Sequence, residues 1–393
     1  FAADNVENAY LNFQRINDAG GIDRAGTDAY LNTSVDRERL RGRFRLGFDT
    51  VLGYGWTMGA SIATGTLADP VSTNITFGNG GSRYQLGLEQ AWLDYTALSG
   101  DAMRSLGFSA GRLRNPFFTP SDLVFDRDLA FDGVAANYQI GLHRDDATAR
   151  QVVVSVGAFP LQEVELSSDD KWLLGGQLGL NWKFGNGSRV RAAASYYDYR
   201  NASGRRNAFE SDLLDYTAPL YLSKGNTLFD IRYDEENGNG TNLYALAADY
   251  QLVNYSLSFD QPLGAGYKAS LAADYVQNIG YKVAEVLDRT EFIVPRRNVG
   301  YQAEIGFGSA TMNRANSWRA SLGYRYVQRD AVLDAYTDSD FRLGGTDARG
   351  YYLGFDYNFT PMVMARLKYM SANEIDGPPL GIDVLQIDLS ASF

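Results

Sequence analysis

Five arginines fall on alternate residues in the segment Val35 to Leu52, VDRERLRGRFRLGFDTVL: Arg37, Arg39, Arg41, Arg43 and Arg45. Leu40, Gly42, Phe44, Leu46 and Phe48 occupy the other phase. Side chains of a strand point alternately to opposite faces, so an extended chain here carries one cationic and one apolar face, whereas a helix would smear both around its cylinder. A row of guanidinium groups repels itself. It is stable where acids pair with it, and useful where an anion or a dipolar solute is to be attracted. Arg189, Arg191, Arg319, Arg325, Arg366 and Lys368 recur in the polar phase of other alternating runs, and Asp122, Asp126 and Asp128 cluster in one acidic, aromatic stretch. For any single arginine, a structural pair with an acid such as Asp49, Glu89 or Glu304 is as good a reading as a solute-facing one; for the segment alone, so is a solvated edge strand of a soluble sandwich.

Other chemistries find little support. The chain of 393 residues has no cysteine and one histidine, which removes disulfides, thiolate metal sites and a cysteine nucleophile. His143 lies in HRDD, read as a short turn, so a Ser-His-Asp arrangement would be confined to a rim, and no enzyme is expected. Gly-rich runs near Gly78 and Gly238 lack the Lys-Ser/Thr of a phosphate loop. DEENGNGTN (Asp234 to Asn242) and DAYTDSD (Asp334 to Asp340) offer oxygen ligands without EF-hand spacing, and read as solvated acidic loops. No metal or cofactor is expected. The net charge of -11 argues against nucleic acid as a partner.

The elements that must position these groups are strands. A period of two recurs along the chain, in Trp56 to Ile62, Val134 to Ile140, Val152 to Ala158, Leu174 to Phe184, Val190 to Tyr196, Val299 to Phe307, Trp318 to Tyr326, Tyr351 to Tyr357, Val363 to Tyr369 and Leu385 to Phe393. In one such run Tyr267, Ala269, Leu271, Ala273 and Tyr275 oppose Lys268, Ser270 and Asp274. Leu243 to Asp260 changes phase near Leu252 and Val253, which reads as a bulge in one long strand. The segment Val6 to Ile16 reads as a further strand. Short connections alternate with long ones, among them Asn115 to Asp128 and the longest, 201–241. No window approaches the roughly 18 apolar residues of a membrane helix, but a membrane barrel alternates lipid-facing and water-facing residues and keeps a polar average. Aromatic residues crowd strand ends, at Trp56, Tyr84, Trp92, Tyr196, Tyr267, Trp318, Tyr351 and Tyr369, as girdles at two headgroup levels would. The expectation is one all-β domain over residues 1–393: a transmembrane antiparallel up-and-down barrel of about sixteen strands, with short periplasmic turns and long outer loops.

Two stretches carry a family resemblance. The last ten residues, VLQIDLSASF, resemble the terminal strand of bacterial outer-membrane proteins, with alternate apolar residues and a final phenylalanine. Gly111 to Gly133, GRLRNPFFTPSDLVFDRDLAFDG, resembles the loop-bearing region of the putative-porin family of Gram-negative bacteria. The resemblance implies an outer-membrane porin, passing small hydrophilic solutes or ions by passive diffusion, in contact with lipid and lipopolysaccharide and assembled as a homotrimer. It also implies that residues 115–128, the third outer loop, enter the lumen, with Asp122, Asp126 and Asp128 facing Arg39, Arg41, Arg43 and Arg45 across the narrowest point and Arg189, Arg191, Arg319, Arg325 and Arg366 lining the wall. Two alternatives stand beside it: a sheath barrel whose loop 201–241 or lumen holds a partner protein, and a nutrient channel whose arginine row binds an anion. No signal peptide precedes Phe1, which for an exported protein implies a processed or trimmed chain and for a cytosolic one implies nothing.

Overall fold

The computed structural model describes residues 10–97, 103–144, 148–165, 167–232 and 241–393. Fifteen strands form one sheet in which each pairs with the next along the chain. They are β1 (Arg45–Gly53), β2 (Trp56–Thr64), β3 (Leu86–Thr96), β4 (Arg104–Arg114), β5 (Ala130–Arg144), β6 (Ala149–Gln162), β7 (Lys171–Lys183) and β8 (Arg189–Arg200). After a long connection follow β9 (Tyr250–Gly264), β10 (Tyr267–Asn278), β11 (Val299–Ser309), β12 (Trp318–Val327), β13 (Ala348–Asn358), β14 (Val363–Glu374) and β15 (Ile382–Ala391). All neighbours are antiparallel. The β1–β2 and β9–β10 turns use positive φ at Gly53, Tyr54 and Gly55 and at Gly264, Ala265 and Gly266, the handedness that continues strand twist through a tight hairpin.

The alternation places one residue set on each face. An outward row runs through Phe259, Leu271, Ile305, Leu322, Leu353, Tyr369 and Leu385, each directly opposite the next on seven consecutive strands. Ile305 is 56% exposed and Leu385 63% exposed, because no protein covers this band. Such a surface is stable only against hydrocarbon. One step along, the inward row runs through Ser258, Ala272, Glu304, Gly323, Tyr352 and Met370. Glycine is needed at 323, since a Cβ there would lie 2.0 Å from Cζ of Tyr352.

The sheet curls until its ends meet around one side chain. Oδ1 of Asp340 accepts from Gln386 of β15 at 3.0 Å and lies 3.6 Å from the guanidinium of Arg41, four residues before β1. Among the described residues β1 bonds only to β2 and β15 only to β14, and as first and last of an odd number they run in the same direction.

Several expectations need correction. Among the described residues the sheet has fifteen strands, in keeping with about sixteen, but the described part of Val6 to Ile16 is not one of them: it is a single bridge at Leu11 and the start of helix α1 (Phe13–Ala19), N-capped by Asn12. The arginine row is not one strand: Arg41 and Gly42 pair with Thr76 and Ile75 in a separate ribbon, and the sheet begins at Arg45. The phase change near Leu252 is no bulge. The chain simply enters β9 at Tyr250, with Leu252 facing inward, and the register shift falls at Pro262. Trp92 points inward over Gly59 rather than into a girdle, and Tyr84 lies in a loop against Phe77.

Replacing Ile305 by Arg should lower the unfolding free energy in lipid vesicles by about 2–4 kcal/mol, whereas Ser321→Arg on the inner face should cost far less. Equal losses at the two sites would show that the outward band does not face lipid.

Candidate functional site

The connection between β4 and β5, residues 115–129, lies against the inner face of the sheet. Phe117 packs edge-on against Phe159 of β6 and Tyr197 of β8. The Phe118 backbone N–H donates to Gln177 of β7 at 2.8 Å, and the same side chain returns a bond to the Phe118 carbonyl at 3.0 Å. Further on, the carboxylate of Asp274 on β10 accepts from the N–H of Ser121 at 3.0 Å and from its hydroxyl at 2.5 Å, and also from Ser256 at 2.5 Å. The Asp122 carbonyl then accepts from Arg325 of β12 at 3.1 Å. Asp128 finally meets Arg43 at 2.8 Å and Arg45 at 3.1 Å. One loop thus touches the wall from β6 round to β1.

A second connection, residues 328–347 between β12 and β13, packs on the first. The Asp126 N–H donates to the Tyr336 carbonyl at 2.8 Å, and the Asp126 carboxylate accepts from the Ser339 N–H at 2.9 Å. Thr337 donates to the Leu123 carbonyl at 2.8 Å. Ala331, Val332 and Leu333 are buried in the same core cluster as Leu123 and Phe125, so DAYTDSD is no solvated loop: Asp334 and Asp338 are buried within it. Connection 201–249 adds the short ribbon Leu228–Asp230 with Tyr244–Leu246 and is pinned where Asp330 accepts from Thr227 and Tyr250. Over these loops lies α1, with Asn17 bonded both ways to Tyr244 and Phe13 stacked edge-on upon its ring. The acid stretch Asp234 to Asn242 falls, except for its last two residues, outside the described residues.

The cations divide into distinct settings. Arg43 and Arg45 hold Asp128, and Arg45 also holds Glu89. Arg41 reaches Asp340, while Arg39 lies outside the sheet, its guanidinium lowered by burial and by the charges of Arg37 and Arg41. Arg319 pairs with Glu304 at 3.0 Å and Arg366 with Asp356 at 2.6 Å. Arg191 stacks over Phe118, 4.7 Å from its ring centre, and Arg189 stands on the same wall opposite Asp260 and Lys183. Arg325 is fully buried beneath both loops, bonded to Gln302 and Thr337. Of the three loop acids only Asp128 is brought to the arginine row. Asp122 pairs with Arg127 at 3.1 Å, and Asp126 turns to the second loop. The residues that sequence reasoning passed over are Asp274, Gln177 and Asp330. Asp274 was visible as a lone acid in the inward phase of an otherwise Ala- and Ser-rich strand, and the aliphatic run Ala331 to Leu333 was a sign that its loop is not solvated.

A curled wall of antiparallel membrane strands with polar loops folded against its inner face defines an outer-membrane β-barrel channel. The chain belongs to the family described as "Putative porin", whose family model matches residues 1–393. It is therefore a porin-like channel of the bacterial outer membrane. Among solved structures it is similar to OprB of Pseudomonas putida, at 14% identity over 90% of this chain and 88% of that one with a TM-score of 0.47. It is also similar to the outer membrane channel DcaP of Acinetobacter baumannii, at 12% identity over 89% and 84% with a TM-score of 0.43. Salmonella typhi OmpF, solved with daunomycin, gives 12% identity over 91% and 93% with a TM-score of 0.44. No curated protein matches the chain.

The loop carboxyls make the packing pH-sensitive. Burial pushes Asp126 up to about 7, and burial, opposed by Arg127, pushes Asp122 up to about 6. For Asp338 burial acts the same way, but Lys368 and Arg325 outweigh it and hold the group low. A carboxyl with a raised folded value binds its proton more tightly folded than unfolded, so the stability it contributes is present in acid and is lost as pH rises toward 7. Intrinsic-rate-corrected amide exchange over residues 122–128 and 336–340 should therefore be faster at pH 8 than at pH 5, and Asp126→Asn should flatten the dependence. A pH-independent rate in the unaltered protein would show that these carboxyls do not govern the packing.

Proposed function

We propose that the protein is a passive diffusion pore for small hydrophilic solutes or ions, with no catalytic role, whose narrow path runs beside the arginine-bearing wall. The observation that carries this reading is the contact of Asp128 with Arg43 and Arg45, whose side chains keep 43% and 38% of their surface exposed. By contrast the outer ends of most strands from β5 to β14 turn inward residues such as Phe159, Tyr197, Leu252, Val327 and Met370 into a core cluster. Water therefore has room at the β1 side. Residues 115–128 act as the constricting loop, and its acid meets the basic row edge to edge, so a dipolar solute passing the contact crosses a transverse field. Arg189, Arg191, Arg319 and Arg366 extend the polar lining along the wall. The outward band meets lipid acyl chains, and lipopolysaccharide in the outer leaflet.

The assembly is a homotrimer in this reading. Outward-facing Ala110, Ala136 and Ala158 leave a shallow groove of about 640 Å³ flanked by Trp56 and Phe108, and a second copy fills such a hollow more closely than mobile acyl chains do. Filling it with Ala136→Trp should shift the detergent-solubilised protein from trimer to monomer in native mass spectrometry. A monomer before substitution would remove this part of the reading.

Purified protein in planar bilayers should give ohmic conductance steps; electrically silent insertion would sink the pore. Arg43→Ser leaves Asp128 with one partner fewer, so the reversal potential under a salt gradient should move toward cations. An unmoved potential would place the narrow point elsewhere.

A further inference from the structure

Connections 65–85, 201–249 and 328–347 and the outer ends of β6 and β7 enclose a cavity of about 200 Å³. Pro70, Leu161, Leu220, Leu222 and Leu333 make most of its wall apolar. Two acceptors interrupt that wall. Asp334 is 2% exposed, and neither of its carboxylate oxygens has a hydrogen-bond partner; Oε1 of Gln162 is likewise buried and without one. Burial disfavours the ionised form and Asp330 adds to this; the backbone N–H groups of Ser223 and Ala335 and the charge of Lys224 oppose it without reaching hydrogen-bond geometry with the carboxylate. The ammonium groups nearby are turned to other acceptors: Lys171 on the edge of the cavity donates to the Thr217 and Ala218 carbonyls at 3.2 and 2.7 Å, and Lys224 to the Leu343 carbonyl at 2.7 Å.

Nothing lets Asp334 escape to water. Its N–H donates to Asn226 at 2.8 Å, and the Asn226 amide in turn donates to the Arg329 and Val332 carbonyls at 2.6 and 2.9 Å, so the chain leading into Asp334 is held in place. A buried acceptor without a donor is unfavourable, and a carboxylate more so than an amide. The remedy is a ligand that brings donors and positive charge at one end and apolar surface at the other.

We propose that this cavity binds small organic cations, with a primary ammonium against Asp334 and Gln162 and a short aliphatic body along the leucine-lined wall. The inference gives a solute class to the pore proposed above, and rests on that reading only for how the solute arrives.

The test uses the full chain in detergent at pH 8, above the value of about 7 to which burial raises Asp334. Calorimetric titration with n-butylammonium should show saturable binding, with 1-butanol and butyrate at least about tenfold weaker. Asp334→Asn should weaken butylammonium by about tenfold, equivalent to about 1.4 kcal/mol, and Gln162→Leu by less. If Asp334→Asn fails to fold, judged by the heat-dependent shift of its gel mobility, the ligand order on the unaltered protein and the Gln162→Leu variant decide. Butyrate or butanol binding as tightly as butylammonium, or no binding of any of the three, overturns the proposal. Conductance recorded on the same preparation separates the two readings: steps without amine binding remove the site and leave the pore, and amine binding without steps does the reverse.

Discussion

The carboxylate of Asp274 is the point on which the interior turns. It sits on β10 facing inward, 5% exposed, and takes hydrogen bonds from the backbone and hydroxyl of Ser121, from Ser256 and, at 3.5 Å, from the Asn254 amide. An ionised carboxylate is costly to remove from water, and only a set of donors of this kind offsets that cost. Two of the donors belong to the loop, so the wall residue is satisfied only while the loop lies across it. The dependence runs in both directions: without Asp274 the N–H of Ser121 would be buried with nothing to accept it. Gln177 repeats the logic at Phe118, and Arg325 at Asp122. Each contact joins a wall side chain to loop backbone, which fixes where the loop runs without fixing its side chains.

A loop held this way becomes the floor for others. A barrel of about this many strands encloses more space than its own inward side chains can fill. Here connection 328–347 supplies the missing volume, with Val332 and Leu333 joining Leu123, Phe125, Tyr197 and Tyr250 in a single cluster. The interior therefore holds a conventional apolar core inside a wall whose outer surface is also apolar, and the polar inner face of each strand is confined to the part the loops leave open. The burial of Asp334 and the half-burial of Asp122 and Asp126 follow from this, since the segments that carry Leu123, Phe125 and Leu333 into the core carry these acids with them.

The strands were legible in the sequence for a physical reason: lipid on one side and water or loop backbone on the other impose a period of two that no local propensity can imitate. Tyr267 to Tyr275 and Trp318 to Tyr326 show it without a break, and the structure keeps both sets of phases. The reading failed where that rule lapses. Leu252 faces inward at the outer end of its strand because loop residues cover it, and Trp92 faces inward in mid-strand over Gly59, so apolar does not always mean outward. The stretch from Phe13 to Ala19 has too few residues to distinguish a strand from two helical turns, and its Asn12 cap and closing Gly20 decide in favour of the helix. DAYTDSD looked solvated because its composition is acidic; its burial depends on Arg325 and Asn226, residues distant from most of it or hidden in another element.

Charge at the open side is likewise set by neighbours rather than by totals. The chain carries a net -11, yet the residues that keep exposed surface beside β1 are Arg43 and Arg45, and the acids that meet them are Asp128 and Glu89. At an ionic strength near 0.15 M a charge is screened beyond about 8 Å, so acids on distant loops contribute little to the potential a solute meets at this contact. Arg37, Arg39 and Arg41 stand next to it, and Arg39 is lowered by burial first and then by the charges of Arg37 and Arg41, which Asp340 opposes. An overall acidic protein can thus present a locally basic path, and which ions that path favours follows from how many of these guanidinium groups retain a carboxylate, a quantity settled by where Asp274 and its partners hold the loop.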